Sequence, residues 1–204
     1  TPVGGALKRM REEGVRRFPV VDPKSGKLTG IVTEKELLYA SPSPATSLSV
    51  HELHYLLAKL TVDKIMTTDL VTVSEDTPIE EAALLMIDRG IGALPVLRDG
   101  TLVGIITETD IFRTFTELFA ARQEGVRLTL LAPERKGELL QITHAITDLG
   151  GNIVALGTFQ GDDMSNRLLT IKVTDVSRQA LVEMVTTLGV RVLDVRECML
   201  AAAC

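Results

Sequence analysis

Apolar and polar residues alternate along the first 120 positions in patterns typical of short helices and strands. The stretch TPIEEAALLMIDRG, residues 77–90, has apolar residues at helical spacing. Thr77 is predicted to be its N-cap, Pro78 its first helical residue and Gly90 its C-terminal stop. Two apolar runs, ALPVL and LVGIIT, then flank an RDG turn and precede a helix that opens with ETDIF. The pattern predicts a β-β-α unit with Thr107 at its strand-to-helix junction.

The same pattern occurs earlier in the chain, and the two occurrences form an internal repeat. Equivalent residues are 76 apart up to the first strand and 74 apart after a two-residue insertion in DPKSGK. The matched pairs include Thr1 and Thr77, Met10 and Met86, Gly14 and Gly90, Gly30 and Gly104, and Thr33 and Thr107. A leading segment, residues 62–76, precedes only the second copy. By analogy, roughly fifteen residues are expected to be missing before Thr1.

The C-terminal third has a different order of elements. Strands are predicted at VRLTLLA, NIVALGTF, RLLTIKV and VRVLDVRE, and helices at GELLQITHAITDLG and SRQALVEMVTTLG. A βαββαβ order over about seventy residues predicts an antiparallel sheet with both helices on one face, the ferredoxin-like arrangement. The chain is therefore expected to be an α+β protein.

Composition narrows the class of protein. Hydrophobic residues are 45% and aromatic residues 3%, so an aliphatic core is expected. A net charge of −5 argues against a nucleic-acid partner, and the apolar runs are too short to span a membrane. Cys198 and Cys204 have no metal or CxxC spacing and are interpreted as incidental thiols. We expect a cytoplasmic protein.

The threonine turns are the main candidates for chemistry. Amide groups at a helix N-terminus and a Thr hydroxyl suit an anionic or polar ligand, and a carboxylate three residues on lies on the same side. A single Thr-x-x-Asp tetrapeptide more commonly only caps its own helix, but its repetition inside a repeated β-β-α unit favours the ligand interpretation. Charge also differs between the copies: residues 1–36 carry eight basic and five acidic residues, whereas residues 77–110 carry two and six.

Residues 1–120 resemble a tandem pair of CBS domains, a Bateman module, through FPVVD and LPVLR, the Gly30 and Gly104 turns, and the repeated threonine motif. Such pairs typically bind adenosine compounds between the repeats. The resemblance implies that Asp110 holds ribose hydroxyls and that Thr107 faces phosphate. It also implies that residues before the x-P-V strand of the opposite repeat line each cleft.

Two unequal sites follow from this resemblance. One combines Thr107 and Asp110 with Val15, Arg16 and Arg17, so that a carboxylate is paired with two guanidinium groups suited to phosphate. Arg16 and Arg17 could instead be solvated surface residues. The other site combines Thr33 and Glu36 with Gly92 and Ala93. It has a longer carboxylate and no basic partner, so a tight ribose contact is not expected there.

Two further resemblances extend the assignment. The linker SPSPATSLSVHELHYLLAKL, residues 41–60, is similar to that of AcuB-type acetoin-utilisation CBS proteins. Its His51 and His54 lack a third metal ligand nearby and are interpreted as part of a helix face. The C-terminal third resembles an ACT domain, in which the loop at Gly137 and the GNI residues Asn152 and Ile153 would hold an amino acid at a domain interface.

Some features of this third favour other interpretations. Lys136 stands where the ACT family usually has Pro, so a dimerisation role is equally plausible. Asn152 would otherwise be a turn residue. His144 is expected on a helix surface rather than as a catalytic base.

We therefore expect three parts: a first CBS repeat with linker at 1–60, a second repeat at 61–122 and an ACT domain at 125–198. No nucleophile with a base, metal cluster or phosphate-cradling loop indicates an enzyme. The leading hypothesis is a homodimeric regulatory protein without a cofactor that senses AMP, ADP, ATP or S-adenosylmethionine. The resemblance to AcuB-type proteins implies a role in acetoin or acetate metabolism. The alternatives are an oligomerisation and docking module for a metabolic enzyme, and a fragment of a CBS-containing enzyme.

Overall fold

The computed structural model describes residues 1–40 and 59–199. It divides into two compact units, Thr1–Ile111 and Phe112–Cys204. The division falls inside the helix Glu108–Leu118 rather than in the predicted connection at 122–125. The second half of this helix is therefore grouped with the C-terminal third of the chain.

The first unit contains two β-β-α repeats, each preceded by a helix. The first repeat consists of α1 (Val3–Glu13), β1 (Arg17–Val21), β2 (Leu28–Thr33) and α2 (Glu34–Tyr39). The second consists of β3 (Val73–Ser74), α3 (Ile79–Arg89), β4 (Ala93–Arg98), β5 (Thr101–Thr107) and α4 (Glu108–Leu118). β1 pairs antiparallel with β2, while β4 pairs antiparallel with β5 and parallel with β3. The predicted internal repeat and its element types are confirmed.

The ends of α1 and α3 show how the repeat is built into the backbone. Gly14 and Gly90 both adopt the left-handed conformation that ends a helix, as predicted for Gly90. The predicted N-cap is wrong: the cap of α3 is Pro78, which has no side-chain cap bond, and the Thr77 hydroxyl accepts a hydrogen bond from Ser74 N instead. The hydroxyl serves a tight turn before the helix, and among the described residues no side chain caps the first amides of α3.

The leading segment of the second repeat begins in the core of the first. Val62, in the 3₁₀ turn Val62–Lys64, is buried with Val3, Met10 and Leu37. Further along, Thr67 forms two backbone hydrogen bonds with Ile31, at 2.9 and 3.0 Å. The sequence pattern predicted that residues 61–76 belong to the second repeat alone. Apolar pattern shows that a segment is buried but does not show which core it enters.

The second unit contains a four-stranded sheet and two helices. Its elements are β6 (Gly125–Pro133), α5 (Glu138–Asp148), β7 (Asn152–Gln160), β8 (Asn166–Thr174), α6 (Arg178–Thr187) and β9 (Arg191–Cys198). The strand order is β7-β8-β6-β9 and every pairing is antiparallel. This is the βαββαβ order predicted from the sequence.

Both helices of this unit pack on the same face of the sheet. Inward side chains of alternate β6 positions, such as Leu128 and Leu130, share one core cluster with Ile142 and Ile146 of α5 and with residues of α6. On the opposite face Lys172 is 3% exposed, and its ammonium donates to the carbonyl oxygens of Ala120 and Gln123. These bonds tie the chain that follows α4 to β8, in line with the grouping of that segment with the second unit.

Candidate functional site

The two predicted threonine turns both lie where a strand passes directly into a helix. Thr33 is the last residue of β2 and Thr107 is the last residue of β5. In each hairpin the threonine pairs with the first residue of the preceding strand, Arg17 for Thr33 and Ala93 for Thr107. The duplicated sequence therefore produces two equivalent backbone positions with different neighbours.

A capping box forms at the start of α2. Glu36 Oε2 accepts hydrogen bonds from Thr33 N at 2.7 Å and from Thr33 Oγ1 at 2.8 Å. Thr33 Oγ1 in turn accepts a 3.2 Å bond from Glu36 N. Each side chain satisfies an amide that the first helical turn leaves without a partner.

The same reciprocal arrangement forms at the start of α4. Asp110 Oδ2 accepts from Thr107 N at 2.9 Å and from Thr107 Oγ1 at 2.6 Å, while Asp110 N donates to Thr107 Oγ1 at 3.4 Å. The capping role considered for the tetrapeptide is therefore present in both copies. The hydroxyl proton of each threonine is directed to its own carboxylate, so capping also fixes the orientation of the predicted ligand groups.

The second oxygen of Glu36 has a partner from the leading segment. Thr67 Oγ1 donates to Glu36 Oε1 at 2.9 Å, and the backbone bonds between Thr67 and Ile31 hold it there. Both oxygens of Glu36 are thus engaged within the first unit. Sequence reasoning missed Thr67 because it placed the segment 62–76 with the other repeat. The signal available was only a polar Thr67-Thr68 pair next to buried positions.

Arg17 connects the first repeat to the threonine turn of the second. A guanidinium nitrogen of Arg17 lies 3.8 Å from Glu108 Oε2, and Glu108 directly follows Thr107. The Arg17 side chain is 30% exposed, which places it partly inside the unit. One of the two predicted guanidinium groups is therefore brought to the turn that carries Asp110.

The hydrogen bonds described for the other predicted lining residues lie within their own repeats. Arg16 is exposed, and its carbonyl accepts a hydrogen bond from Glu34 N at 2.9 Å. Val15 is 38% exposed and donates through its amide to Met10 O. Gly92 O accepts from Glu108 N at 3.2 Å, in the position equivalent to Arg16, and Ala93 is buried. The assignment of these residues to opposite clefts remains a prediction.

The second unit has a cavity beside the loop that contains Gly137. Its volume is about 270 Å³ and its charged lining residues are Glu134, Arg135, Glu138 and Arg167. Glu138 is buried and bonds to Arg135, while Arg167 bonds to Glu134. The four charges therefore balance in pairs at the start of α5.

The three residues predicted for an ACT-type ligand do not meet within one chain. Gly137 is the N-cap of α5, whereas Asn152 and Ile153 begin β7 after that helix has ended. The 11-residue helix alone separates them by about 16 Å. Asn152 pairs with Thr174 as a strand residue, so its interpretation as a turn residue is wrong.

The described residues contain no group of three or more His, Cys, Asp or Glu side chains that could hold a metal ion. His144 is an exposed residue of α5 with Nδ1 2.8 Å from Asp148 Oδ2, as expected for a helix surface. His51, His54 and Cys204 lie outside the described residues. Across 1–40 and 59–199, no helix is long and apolar enough to cross a membrane.

Comparison with known proteins identifies the family of the first unit. The CBS domain model matches residues 1–43 and 62–117, which correspond to the two repeats. A CBS domain-containing protein of Dictyostelium discoideum is 36% identical over 112 residues, which are 54% of this chain and 77% of that protein. The chain belongs to the CBS-domain family, and its two repeats form a CBS pair, or Bateman module.

Other relatives match over a similar share of this chain. The uncharacterized protein MK0525 of Methanopyrus kandleri is 32% identical over 58% of this chain and 56% of its own length. An inosine-5'-monophosphate dehydrogenase of Korarchaeum cryptofilum is 33% identical over 60% of this chain, but the match spans 22% of that enzyme. A region similar to this CBS pair therefore occurs within an enzyme as well as in an uncharacterized protein.

Solved structures with similar CBS pairs give TM-scores below 0.5. The CBS pair of protein MJ0100, in complex with 5'-methylthioadenosine and S-adenosyl-L-methionine, has a TM-score of 0.45 and 30% identity over 56% of this chain and 82% of its own. A Vibrio cholerae protein provisionally assigned to acetoin utilization (AcuB) has a TM-score of 0.46 and 31% identity, over 57% and 78% of the two chains.

Proposed function

We propose that this chain is a regulatory protein that binds an adenine nucleotide between its CBS repeats. The observation that carries the proposal is the position of Arg17, which extends from the first repeat to Glu108 at the start of α4. A guanidinium group, a helix N-terminus and a carboxylate one turn along the helix form a combination suited to a phosphorylated ribose. All three are present within the first unit.

The proposed roles follow from the chemistry of each group. Asp110 would accept hydrogen bonds from the ribose hydroxyls, and Arg17 would bind phosphate, with Arg16 as a second cation. Thr107 would hold Asp110 in position through the 2.6 Å bond between them. A residue already fixed before the ligand arrives loses little conformational freedom on binding. The capping box would therefore preorganise the ribose site.

The Glu36 cleft is proposed to bind the nucleotide less well. Thr33 and Thr67 occupy both oxygens of Glu36, so a ribose hydroxyl would have to share or displace these bonds. The residue equivalent to Arg17 is Ala93, which is buried and has no charge. We propose unequal occupancy of the two clefts, with the Asp110 cleft filled first.

Titration calorimetry of the chain with AMP, ADP, ATP and S-adenosylmethionine, one at a time, tests the proposal. We expect heat and a rise in Tm with at least one of them, because a ligand that binds only the folded state stabilises it. If none of the four compounds gives heat or a shift in Tm, nucleotide sensing is refuted.

The second candidate is a docking or assembly module, and the apolar surface of α4 supports it. Phe112, Phe115 and Leu118 are 68%, 55% and 65% exposed, and α4 has no buried residue. Exposed apolar faces of this kind often contact another protein. Homodimer formation and a metabolic enzyme partner, in acetoin metabolism or elsewhere, are proposals of this class.

Asp110→Ala separates the two candidates. If the chain senses a nucleotide, the variant should lose affinity for that nucleotide. If the chain is only a scaffold, the variant should keep the oligomeric state of the wild type, and nucleotide should have no effect on the wild type or on the variant. Light scattering with and without nucleotide gives the oligomeric state directly.

An amino-acid-like ligand in an ACT-type second unit is the third proposal. The cavity beside Gly137 supports it, because it places paired charges next to apolar Leu139 and Leu169. Asn152 and Ile153 would join such a site only from another copy, since they lie at the other end of α5. Calorimetry with the twenty amino acids at high concentration would show heat if the site exists, and no heat if the unit only assembles.

A further inference from the structure

The ion pair between Arg17 and Glu108 lies over Gly92, where the missing side chain leaves room for both charged groups. A Cβ atom at Gly92 would be 2.5 Å from a guanidinium nitrogen of Arg17 and 2.6 Å from Glu108 Oε2. Its backbone is outside the left-handed region, unlike Gly90 two residues earlier. The missing side chain therefore provides space for two charged groups and is not needed for a turn.

This arrangement occurs at only one of the two threonine turns. In the first repeat Arg16 occupies the position equivalent to Gly92, and Glu34 the position equivalent to Glu108. The partner equivalent to Arg17 is Ala93, which is buried. The carboxylate after the threonine is thus duplicated, but its cross-repeat guanidinium partner is not.

Glu108 lies beside the guanidinium group that is proposed to bind phosphate. Glu108 Oε2 lies 3.8 Å from the guanidinium group of Arg17, and the Glu108 side chain is 59% exposed. A phosphate that binds Arg17 must approach this carboxylate or displace it, and like charges at short range repel each other. An uncharged adenosine compound would meet no such opposition.

We propose that Glu108 sets the charge preference of the Asp110 cleft by competing with ligand phosphate for Arg17. This inference rests on the proposed function, because it concerns the same cleft. It makes Glu108 a specificity residue that weakens binding in proportion to the negative charge of the ligand. Gly92 is then the residue that allows the competition.

Glu108→Gln tests the inference in titrations with adenosine, AMP, ADP and ATP. The substitution keeps the size of the side chain and removes its charge. We expect AMP affinity to rise about fivefold, with a larger rise for ATP, because one unit charge about 4 Å away changes an exposed equilibrium by roughly this factor. Adenosine affinity should change less than about twofold. Glu12→Gln is the matched control, since it removes an equally exposed carboxylate paired with Lys8.

A double-mutant cycle shows whether the effect acts through Arg17. In an Arg17→Gln background, Glu108→Gln should raise phosphate affinity by a clearly smaller factor than in the wild type, because the competition for Arg17 no longer exists and only the direct repulsion of phosphate is removed. Equal gains for adenosine and ATP, or equal gains with and without Arg17, would overturn the inference while leaving nucleotide binding intact. Failure of both the wild type and Glu108→Gln to bind any of the four compounds would overturn the proposed function as well.

Discussion

At the end of β2 a threonine caps α2 through Glu36, and at the end of β5 a threonine caps α4 through Asp110. The local bonds are the same in number and type. The surroundings differ: Thr67 approaches the first carboxylate, whereas Arg17 approaches the residue beside the second threonine. A repeated capping box thus reflects a shared folding requirement, and the character of each cleft depends on residues distant in sequence.

The largest expected difference between the turns is in nucleotide affinity after loss of each carboxylate. Asp110→Ala should weaken binding at least about thirtyfold, because a charged hydrogen-bond acceptor for the ribose is lost. Glu36→Ala should change it less than about threefold. Both variants lose a helix cap and should be destabilised by about 1 kcal/mol. Calorimetry and thermal unfolding of the same samples compare them. Equal losses of affinity would contradict the asymmetry.

The second prediction concerns Arg17, the cation that reaches the second threonine turn from the first repeat. Arg17→Gln should weaken ATP binding about tenfold, since a charge-assisted contact to phosphate is lost, and should leave adenosine within about twofold. Lys8→Gln removes an exposed cation of α1 and serves as the control. If ATP affinity falls equally in both variants, Arg17 acts only through net charge.

The third prediction tests whether the type of carboxylate, Glu36 or Asp110, determines the difference between the two turns. Glu36→Asp gives the first turn the residue of the second, but the shorter side chain cannot cap Thr33 and still reach Thr67. We expect a loss of about 1 kcal/mol in the free energy of unfolding, as for one hydrogen bond. We expect no second nucleotide site, because Ala93 still occupies the position equivalent to Arg17. A new site in calorimetry would show that the carboxylate alone determines occupancy.

The smallest expected effect concerns the bond between Thr67 and Glu36. Thr67→Val keeps the shape of the side chain and removes its hydroxyl, which should lower stability by roughly 0.5–1 kcal/mol in urea unfolding. Thr68→Val, at the neighbouring exposed position, is the control. Nucleotide affinity should be unchanged in both. Equal stability of the two variants would mean that Thr67 does not support the first turn.

Sequence patterns predicted the features of this molecule that depend on local spacing. The repeat showed both strand-to-helix junctions, because the same glycines and threonines recur around them. The βαββαβ order followed from a change of hydrophobic period after residue 124. The positions of the two threonine motifs could therefore be predicted without any coordinates.

Features that depend on contacts between distant segments could not be predicted in the same way. Val62 is apolar and suits either core, so its burial with Val3 gave no sequence signal. Gly92 resembles an ordinary loop glycine, because the close approach of Arg17 and Glu108 is a tertiary feature. Thr77 had the residue type of an N-cap, but a preceding turn uses its hydroxyl.

The number of nucleotide molecules bound per chain tests directly whether the Asp110 and Glu36 clefts differ. Calorimetric titration of the wild-type chain with AMP should give about one high-affinity site per chain, because among residues 1–40 and 59–199 a fixed carboxylate and a cross-repeat guanidinium group occur together at the Asp110 turn and not at the Glu36 turn. Asp110→Ala should abolish that site. Two equivalent sites per chain, or a single site that survives Asp110→Ala and is lost in Glu36→Ala, would contradict the account.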